Sequence, residues 1–399
     1  MGLGRRRRRW LHSVALGVSV LVLAAAGLGW AAYKKLDGNI TRDTDAAAEL
    51  ERYEKERPTP LVHDAQNILV IGSDTRAGRG NRKYGKDPGT QRSDTTILLH
   101  LAADRRSATA VSIPRDLMVD IPGCRTPDGS RTRPRFGQFN WAYEVGGTAC
   151  TIRTVEKLTS IRVDHHMVVD FAGFKDMVDA VDGVEVCLKK PITDPDAHVN
   201  LAPGLRTLDG EQALGYVRAR KSLGNGSDTD RMDRQQEFLG ALVNKVQSND
   251  VLLNPGKLYP VLDAATSSLT TDPALASLRG LYELVRGMRN IPTERVQFLT
   301  VPRKSYAYDA NRDELVEPAA EELFTRLRTD GPVAVVPQKP APSTPSMPST
   351  PSAPSAPSAP SEEDAAGEDV TDEKPDDPSP TPSPAPTFRG NTAAEPACE

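Results

Sequence analysis

The stretch Asn67-Ile-Leu-Val-Ile-Gly-Ser-Asp-Thr-Arg76 decides the fold class, because an apolar run passes directly into Asp74 and Arg76. A short apolar run bounded by glycine and charge reads as a buried strand. Two more stretches repeat the pattern. Arg92-Ser-Asp-Thr-Thr-Ile-Leu-Leu-His-Leu101 opens on Arg92 and Asp94, and Ala110-Val-Ser-Ile-Pro-Arg-Asp116 closes on Arg115. Charges that sit at strand ends, and not along the strands, collect at one edge of a sheet, where α/β proteins bind ligands.

Outward from these strands, strand-like and helix-like segments alternate from about residue 61 to residue 328. Residues 140–159 carry Trp141, Tyr143, Ile152, Val155 and Leu158 at helical spacing. Residues 166–171 read as a strand, 174–181 as a helix and 184–188 as a strand. Asp209 is an N-cap candidate for the next helix. Residues 233–246 form an amphipathic helix with Phe238, Leu239, Leu242, Val243 and Val246 on one side. Such alternation predicts a single layered α-β-α domain with a mixed central sheet over residues 61–332.

The two ends read differently. Arg5 to Arg9 form a basic run in residues 1–12, and residues 13–33 are uncharged and apolar. That length matches the ~20 residues a helix needs to cross a bilayer. The arginines stay cytoplasmic, so the rest of the chain is expected outside the cell as a single-pass membrane protein. Ala24-Ala-Ala26 resembles a cleavage site, but the apolar run continues past it through Trp30, which favours an uncleaved anchor. Residues 34–60 are charged and helix-prone, and read as a stalk or a first outer helix. Residues 333–399 repeat Pro, Ser, Ala and Thr before turning acidic, and are expected to be a disordered tail. The net charge of −4 excludes little, since the two signs are segregated along the chain.

Four cysteines suit an exported chain. Cys124 and Cys150 flank one Gly-, Pro- and Arg-containing loop, and a disulfide between them is expected, with Cys187 as a competitor for either partner. Cys187 otherwise reads as a buried apolar residue, and Cys398 as unpaired. Neither their number nor their spacing is that of a zinc site.

Two later stretches add to the edge chemistry: Tyr216-Val-Arg-Ala-Arg-Lys221 and Ser227-Asp-Thr-Asp-Arg-Met-Asp-Arg-Gln-Gln236. Several guanidiniums with two or more carboxylates suit a polyphosphate held through a divalent cation. For any one such residue a solvated surface ion pair is the default. Arg82, Lys83, Lys86, Arg131, Arg133 and Arg135 are assigned to that class. His165 and His166 are adjacent and read as surface residues at a strand start. No phosphate-binding Gly-x-x-x-x-Gly-Lys loop, dinucleotide fingerprint or Gly-x-Ser-x-Gly elbow is present. Nucleic acid is disfavoured as a partner, because the basic residues fall outside the cell without an aromatic platform.

Taken in order, the run from Asn67 to Arg76, Arg92-Ser-Asp-Thr95, Ser112-Ile-Pro-Arg-Asp116, Asn140-Trp-Ala-Tyr143, Asp170-Phe-Ala-Gly173, Leu208-Asp-Gly-Glu-Gln-Ala-Leu214 and Asp230-Arg-Met-Asp-Arg-Gln-Gln236 resemble the LytR–CpsA–Psr family. The resemblance spans about residues 62–247. Members of that family are membrane-anchored transferases that move a glycopolymer from a polyprenyl-pyrophosphate carrier to peptidoglycan. It implies magnesium, or manganese, on Asp74 and Asp94. It implies pyrophosphate contacts from Arg92, Arg115, Arg218, Arg220 and Arg231, with Gln235. Asp94 and Arg115 are then the catalytic pair, Asp94 being a candidate acceptor of the hydroxyl proton. Two other readings use the same residues: a non-catalytic binder or regulator of lipid-linked precursors, and a pyrophosphatase acting on the carrier. A basic, Gly-rich insertion, residues 77–91, separates the two aspartates.

Overall fold

The computed structural model describes residues 3–74, 93–219, 228–247, 255–336 and 387–394. Nine strands among them form one sheet, in the order β1 (Thr41–Arg42), β12 (Leu269–Thr271), β7 (His165–Asp170), β2 (Gln66–Ser73), β3 (Ser93–Leu101), β4 (Ala108–Ile113), β13 (Val296–Thr300), β17 (Thr387–Thr392) and β16 (Ala334–Val336). Four two-stranded antiparallel pairs lie outside it: β5 (Met118–Ile121) with β6 (Arg135–Gln138), β8 (Val184–Leu188) with β11 (Gly204–Leu208), β9 (Ile192–Asp194) with β10 (Val199–Leu201), and β14 (Arg303–Tyr306) with β15 (Asp309–Leu315). The helices are α1 (Leu3–Asn39), α2 (Thr44–Arg52), α3 (Asn140–Thr159), α4 (Phe171–Ala180), α5 (Gly210–Arg218), α6 (Asp228–Gln247), α7 (Pro255–Ser268), α8 (Leu278–Met288) and α9 (Glu317–Arg328). The mixed sheet and its helical layers agree with the α/β expectation.

Strand direction fixes the functional edge. β2 is parallel to β7 and antiparallel to β3, while β4 is antiparallel to β3 and parallel to β13. The ends of β7, β2, β4 and β13 and the start of β3 therefore share one edge. Both faces of the sheet are covered. Leu69, Ile71, Leu98 and Val111 pack on α2, α3 and α9, whereas Ile68, Ile97 and Ala110 pack on α6 and α8. A third apolar cluster joins α4, α5, α6 and β8–β11. Helix α6 belongs to both of the latter: Phe238 and Leu242 face the third cluster, and Leu239 and Val243 face the sheet.

The two ends depart from the sequence reading. Helix α1 is long and apolar enough to cross a membrane, but its C-terminal end is not the start of a detached stalk. Leu36 and Ile40 are buried at 4% and 7% exposure, with Ala46, Leu50 and Tyr53 following. Lys35 Nζ lies 3.0 Å from Asp263, Asn39 donates to the same carboxylate at 3.0 Å, and the Leu278 amide donates to Asp37 at 2.9 Å. The helix thus runs without a break into the domain. At the other end, β17 inserts between β13 and β16 within the span expected to be tail. A side chain at Gly390 would meet the Phe298 carbonyl oxygen at 2.2 Å, so only glycine permits that approach.

The histidine pair is also not on the surface. His166 is 2% exposed and 3.3 Å from Asp43, and half-buried His165 is 3.3 Å from Asp272, so the two tie the end of β1 and the turn after β12 to β7. His100 is buried at the far edge between Asn67 (2.8 Å) and Asp330 (2.9 Å). Burial holds its pKa below the ordinary 6.5, against the pull of Asp330. The unfolded chain therefore binds this proton more readily. The contribution of His100 is full above pH 6.5 and is lost as pH falls through the lowered native value. His100→Gln should accordingly shrink the drop in urea midpoint between about pH 7 and about pH 5. An unchanged drop would show that other groups carry it.

Candidate active site

At the shared edge, a bulge between Gly72 and Ser73 shifts the pairing so that Ser73 faces Ser93. Asp74 then leaves β2 next to the beginning of β3, which carries Asp94. Gly72 allows this close pairing, since a Cβ there would sit 3.2 Å from that of Thr95. Arg115 follows Pro114 at the end of β4, and its carbonyl accepts from the Asn140 amide at 3.0 Å, which fixes the turn to α3. Its guanidinium is held from two sides: Nη1 donates to Asp94 at 2.9 Å and Nε to Asp116 at 3.2 Å. Asp116 is itself oriented by Gln138 at 3.2 Å and Arg312 at 3.7 Å. Arg115 thus pairs both with its chain neighbour Asp116 and, across to β3, with Asp94. With neighbouring strands ~4.8 Å apart, Asp170, Ser73–Asp74, Asp94 and Arg115 form a row of roughly 15 Å.

Further arginines reach this edge from α5 and α6. Arg218 is in the last turn of α5, its guanidinium 4.5 Å over the Phe171 ring. Arg231 and Arg234 are 4% and 6% exposed. A buried guanidinium costs several kcal/mol unless its charge and donors are engaged. Arg234 donates to the Ala219 carbonyl and Gln235 to the Val217 carbonyl (3.1 Å), so α6 is clipped to the end of α5. Gln236, 4% exposed, donates to Thr300 Oγ1 at 2.9 Å and Ser112 Oγ at 3.3 Å, which pins the same turns to the ends of β13 and β4. The sequence reading did not single out Gln236 or Asp116 as site residues, while Arg234 falls in the Ser227–Gln236 stretch that it assigned to the edge. A polar Gln-Gln doublet inside an amphipathic helix was the only signal for the first. Arg92, Arg220 and the insertion 77–91 lie outside the described residues.

Tyr143 links the edge to the helical layer. Burial, with the Asp43 and Asp74 carboxylates nearby, pushes its phenol pKa up, and a hydrogen bond with Ser73 opposes the shift. As a donor set, Asp74 and Asp94 are hard oxygen ligands. Among the described residues no group of three or more His, Cys, Asp or Glu could hold a metal alone. Magnesium commonly takes one or two carboxylates and fills its shell with phosphate oxygens and water. Carboxylate oxygens, as on Asp74 and Asp94, are the donor type such a partial shell uses.

The disulfide between Cys124 and Cys150 is formed, with Cα atoms 5.6 Å apart. Cys187 is not a free buried thiol: it too is disulfide-bonded, its partner lying outside the described residues, as does Cys398.

A family model described as the LytR_cpsA_psr family matches residues 37–329. The chain is 36% identical over 293 residues to the probable cell wall biosynthesis protein LcpB of Corynebacterium glutamicum, covering 71% of this chain and 66% of that protein. It thus spans slightly under two thirds of that relative's length. It is 32% identical over 314 residues to the polyisoprenyl-teichoic acid–peptidoglycan teichoic acid transferase TagU of Enterococcus faecalis, covering 78% of this chain and 95% of TagU. A solved structure of TagT bound to LI-WTA is similar at a TM-score of 0.51 and 27% identity, covering 67% of this chain and 91% of that one.

Proposed function

Because the chain belongs to the LytR–CpsA–Psr family, we propose that it transfers a phosphorylated glycopolymer from a polyprenyl-pyrophosphate carrier to peptidoglycan. The observation that carries this reading is the row of carboxylates and arginines along one sheet edge, closed by Arg115 bridging Asp94 and Asp116. The names of relatives such as TagU support the polymer and the acceptor class. Helix α1 is the membrane anchor in this reading, with Arg5 to Arg9 inside and the domain outside.

The chemistry is a displacement at phosphorus. An acceptor hydroxyl oxygen attacks the sugar-bearing phosphorus as the bond to the bridging oxygen breaks. Polyprenyl monophosphate leaves with the electron pair, and a phosphodiester joins polymer to acceptor. Arg115, Arg218 and Arg231, with Arg92 and Arg220, neutralise charge on the two phosphates. Asp94 takes the hydroxyl proton, its lone pairs aimed by Arg115. A magnesium or manganese ion on Asp74 and Asp94 would supply further charge neutralisation at the phosphates. Gln235 contributes by holding α5 against α6.

The test uses the full chain in vesicles with lipid-linked glycopolymer, magnesium and peptidoglycan. Polymer covalently attached to peptidoglycan, with polyprenyl monophosphate released, is the expected result. Chelation should reduce transfer to background, and magnesium or manganese should restore it. Release of free phosphorylated polymer alone would indicate a pyrophosphatase, and tight binding without any product a regulator.

A further inference from the structure

A cavity of about 940 Å³ opens beside the strand row, on the side away from Arg115. Helix α2 forms one wall. A second is the break in α3 at Gly146 and Gly147, where Gly147 has φ +59°. The turn from Arg125 to Gly129 covers the break, and the first turn of α4 with Ser268 closes the far side. The Cys124–Cys150 disulfide holds that turn in place. A Cβ at Gly146 would meet the Cys150 Cβ at 2.8 Å and the Arg125 carbonyl oxygen at 2.9 Å, so only glycine lets the break pack beneath it. The floor consists of Ser73, Tyr143 and Asp170, which belong to the functional edge itself. Along that edge Asp74 and Asp94 stand between the cavity and Arg115.

We infer that this cavity binds the acceptor saccharide, a polyhydroxylated glycan, and presents one of its hydroxyls to the Asp74–Asp94 end of the row; the inference rests on the transferase reading above. The walls supply carboxylate acceptors (Asp45, Glu49, Asp176), a guanidinium donor (Arg125) and the hydroxyl oxygens of Thr148 and Ser268, whose protons go to Asp43 and the Ala264 carbonyl, as further acceptors. A sugar hydroxyl both donates and accepts, so it can satisfy either kind of group. A polyprenyl tail would strip water from these groups and return no hydrogen bonds. The volume lies in the range of ligand sites, roughly 300–1,000 Å³. Phosphate held by Arg115 and a glycan in the cavity would thus meet at the same two carboxylates, one from each side along the row.

Ala48 lines the cavity from the exposed side of α2, so the indole of Ala48→Trp would occupy part of it without entering the core. Asp176→Asn removes one acceptor carboxylate. The full chain in detergent is titrated calorimetrically with a soluble peptidoglycan disaccharide-peptide and, separately, with the polyprenyl-pyrophosphate donor, and acceptor KM is measured in the transfer assay. Ala48→Trp should weaken glycan binding and raise acceptor KM by about tenfold or more, the loss of one or two hydrogen bonds. Asp176→Asn should produce a smaller rise in the same quantities. Donor Kd and melting temperature should stay at wild-type values in both. Unchanged glycan binding would overturn the inference, and so would a loss of donor affinity, which would make the cavity the carrier's site. If wild type binds the glycan, Ala48→Trp abolishes that binding and no transfer occurs with either, the saccharide site stands and the transferase reading falls.

Discussion

Arg115→Ala should lower transfer by about a hundredfold or more while the protein remains folded. The guanidinium touches two carboxylates at once, Asp94 at 2.9 Å and Asp116 at 3.2 Å. Its removal takes away a fixed positive charge where phosphate charge builds in the transition state, an effect typically near 3–4 kcal/mol. It also removes a contact at 2.9 Å that orients Asp94. The stability cost is far smaller. The Arg115 side chain is 20% exposed and that of Asp94 30%, so the lost pair is worth about 1–2 kcal/mol. Asp94→Asn should be similarly inactive, and the double variant little worse than either single one, since residues that act as a unit are not additive. Arg133, exposed in the cysteine loop, is the control, and Arg133→Ala should remain near wild type. Transfer rates beside melting temperatures decide the matter. Wild-type turnover in Arg115→Ala, or loss of turnover only through unfolding, would remove Arg115 from the site.

The second large effect is on stability. Replacing Cys124 and Cys150 together by serine should destabilise the domain by about 3.5 kcal/mol, from the loop-length dependence of unfolded-chain entropy for a separation of 26 residues. For a domain of this size that is a fall of roughly 7–14 °C in melting temperature. Both cysteines are 2% exposed within the main apolar cluster, so two serine hydroxyls placed there add to the loss. Alanine at both positions separates the terms, because it removes the link without burying a hydroxyl. A melting temperature unchanged by the alanine pair would mean that packing alone closes the loop.

Much of the edge chemistry was legible before any coordinates. The strands carrying Asp74, Asp94 and Arg115 are almost unbroken apolar runs, and a charge directly after such a run has nowhere to go but the end of the sheet. That reading needed no partner to be known. The charge pattern of α6 showed its apolar residues but not that they serve two clusters, since periodicity identifies a face and does not say what covers it. The segment from 34 to 60 was half legible for the same reason: of its two readings, the helix is formed as α2 and the detached stalk is not. Ala46 and Leu50, four residues apart, make an apolar stripe too narrow to outweigh the surrounding charge, and only the surface offered by α3 and the sheet makes it core.

What the sequence determined by itself was therefore local: which runs are strands, where charge interrupts them, which helix can span a membrane, and which two cysteines share one loop. What the tertiary structure decided was every pairing across long chain separations. Gln236 meets Ser112 across 124 residues, and Asn39 meets Asp263 across 224. β17 returns to the sheet after the Pro/Ser-rich stretch, although nothing in Thr387-Phe-Arg-Gly-Asn-Thr392 marks it as a strand of that sheet. Each of these contacts depends on the shape and unpaired polar groups of a surface made by other segments. A one-dimensional pattern carries the periodicity of its own face but not the identity of the face it will meet.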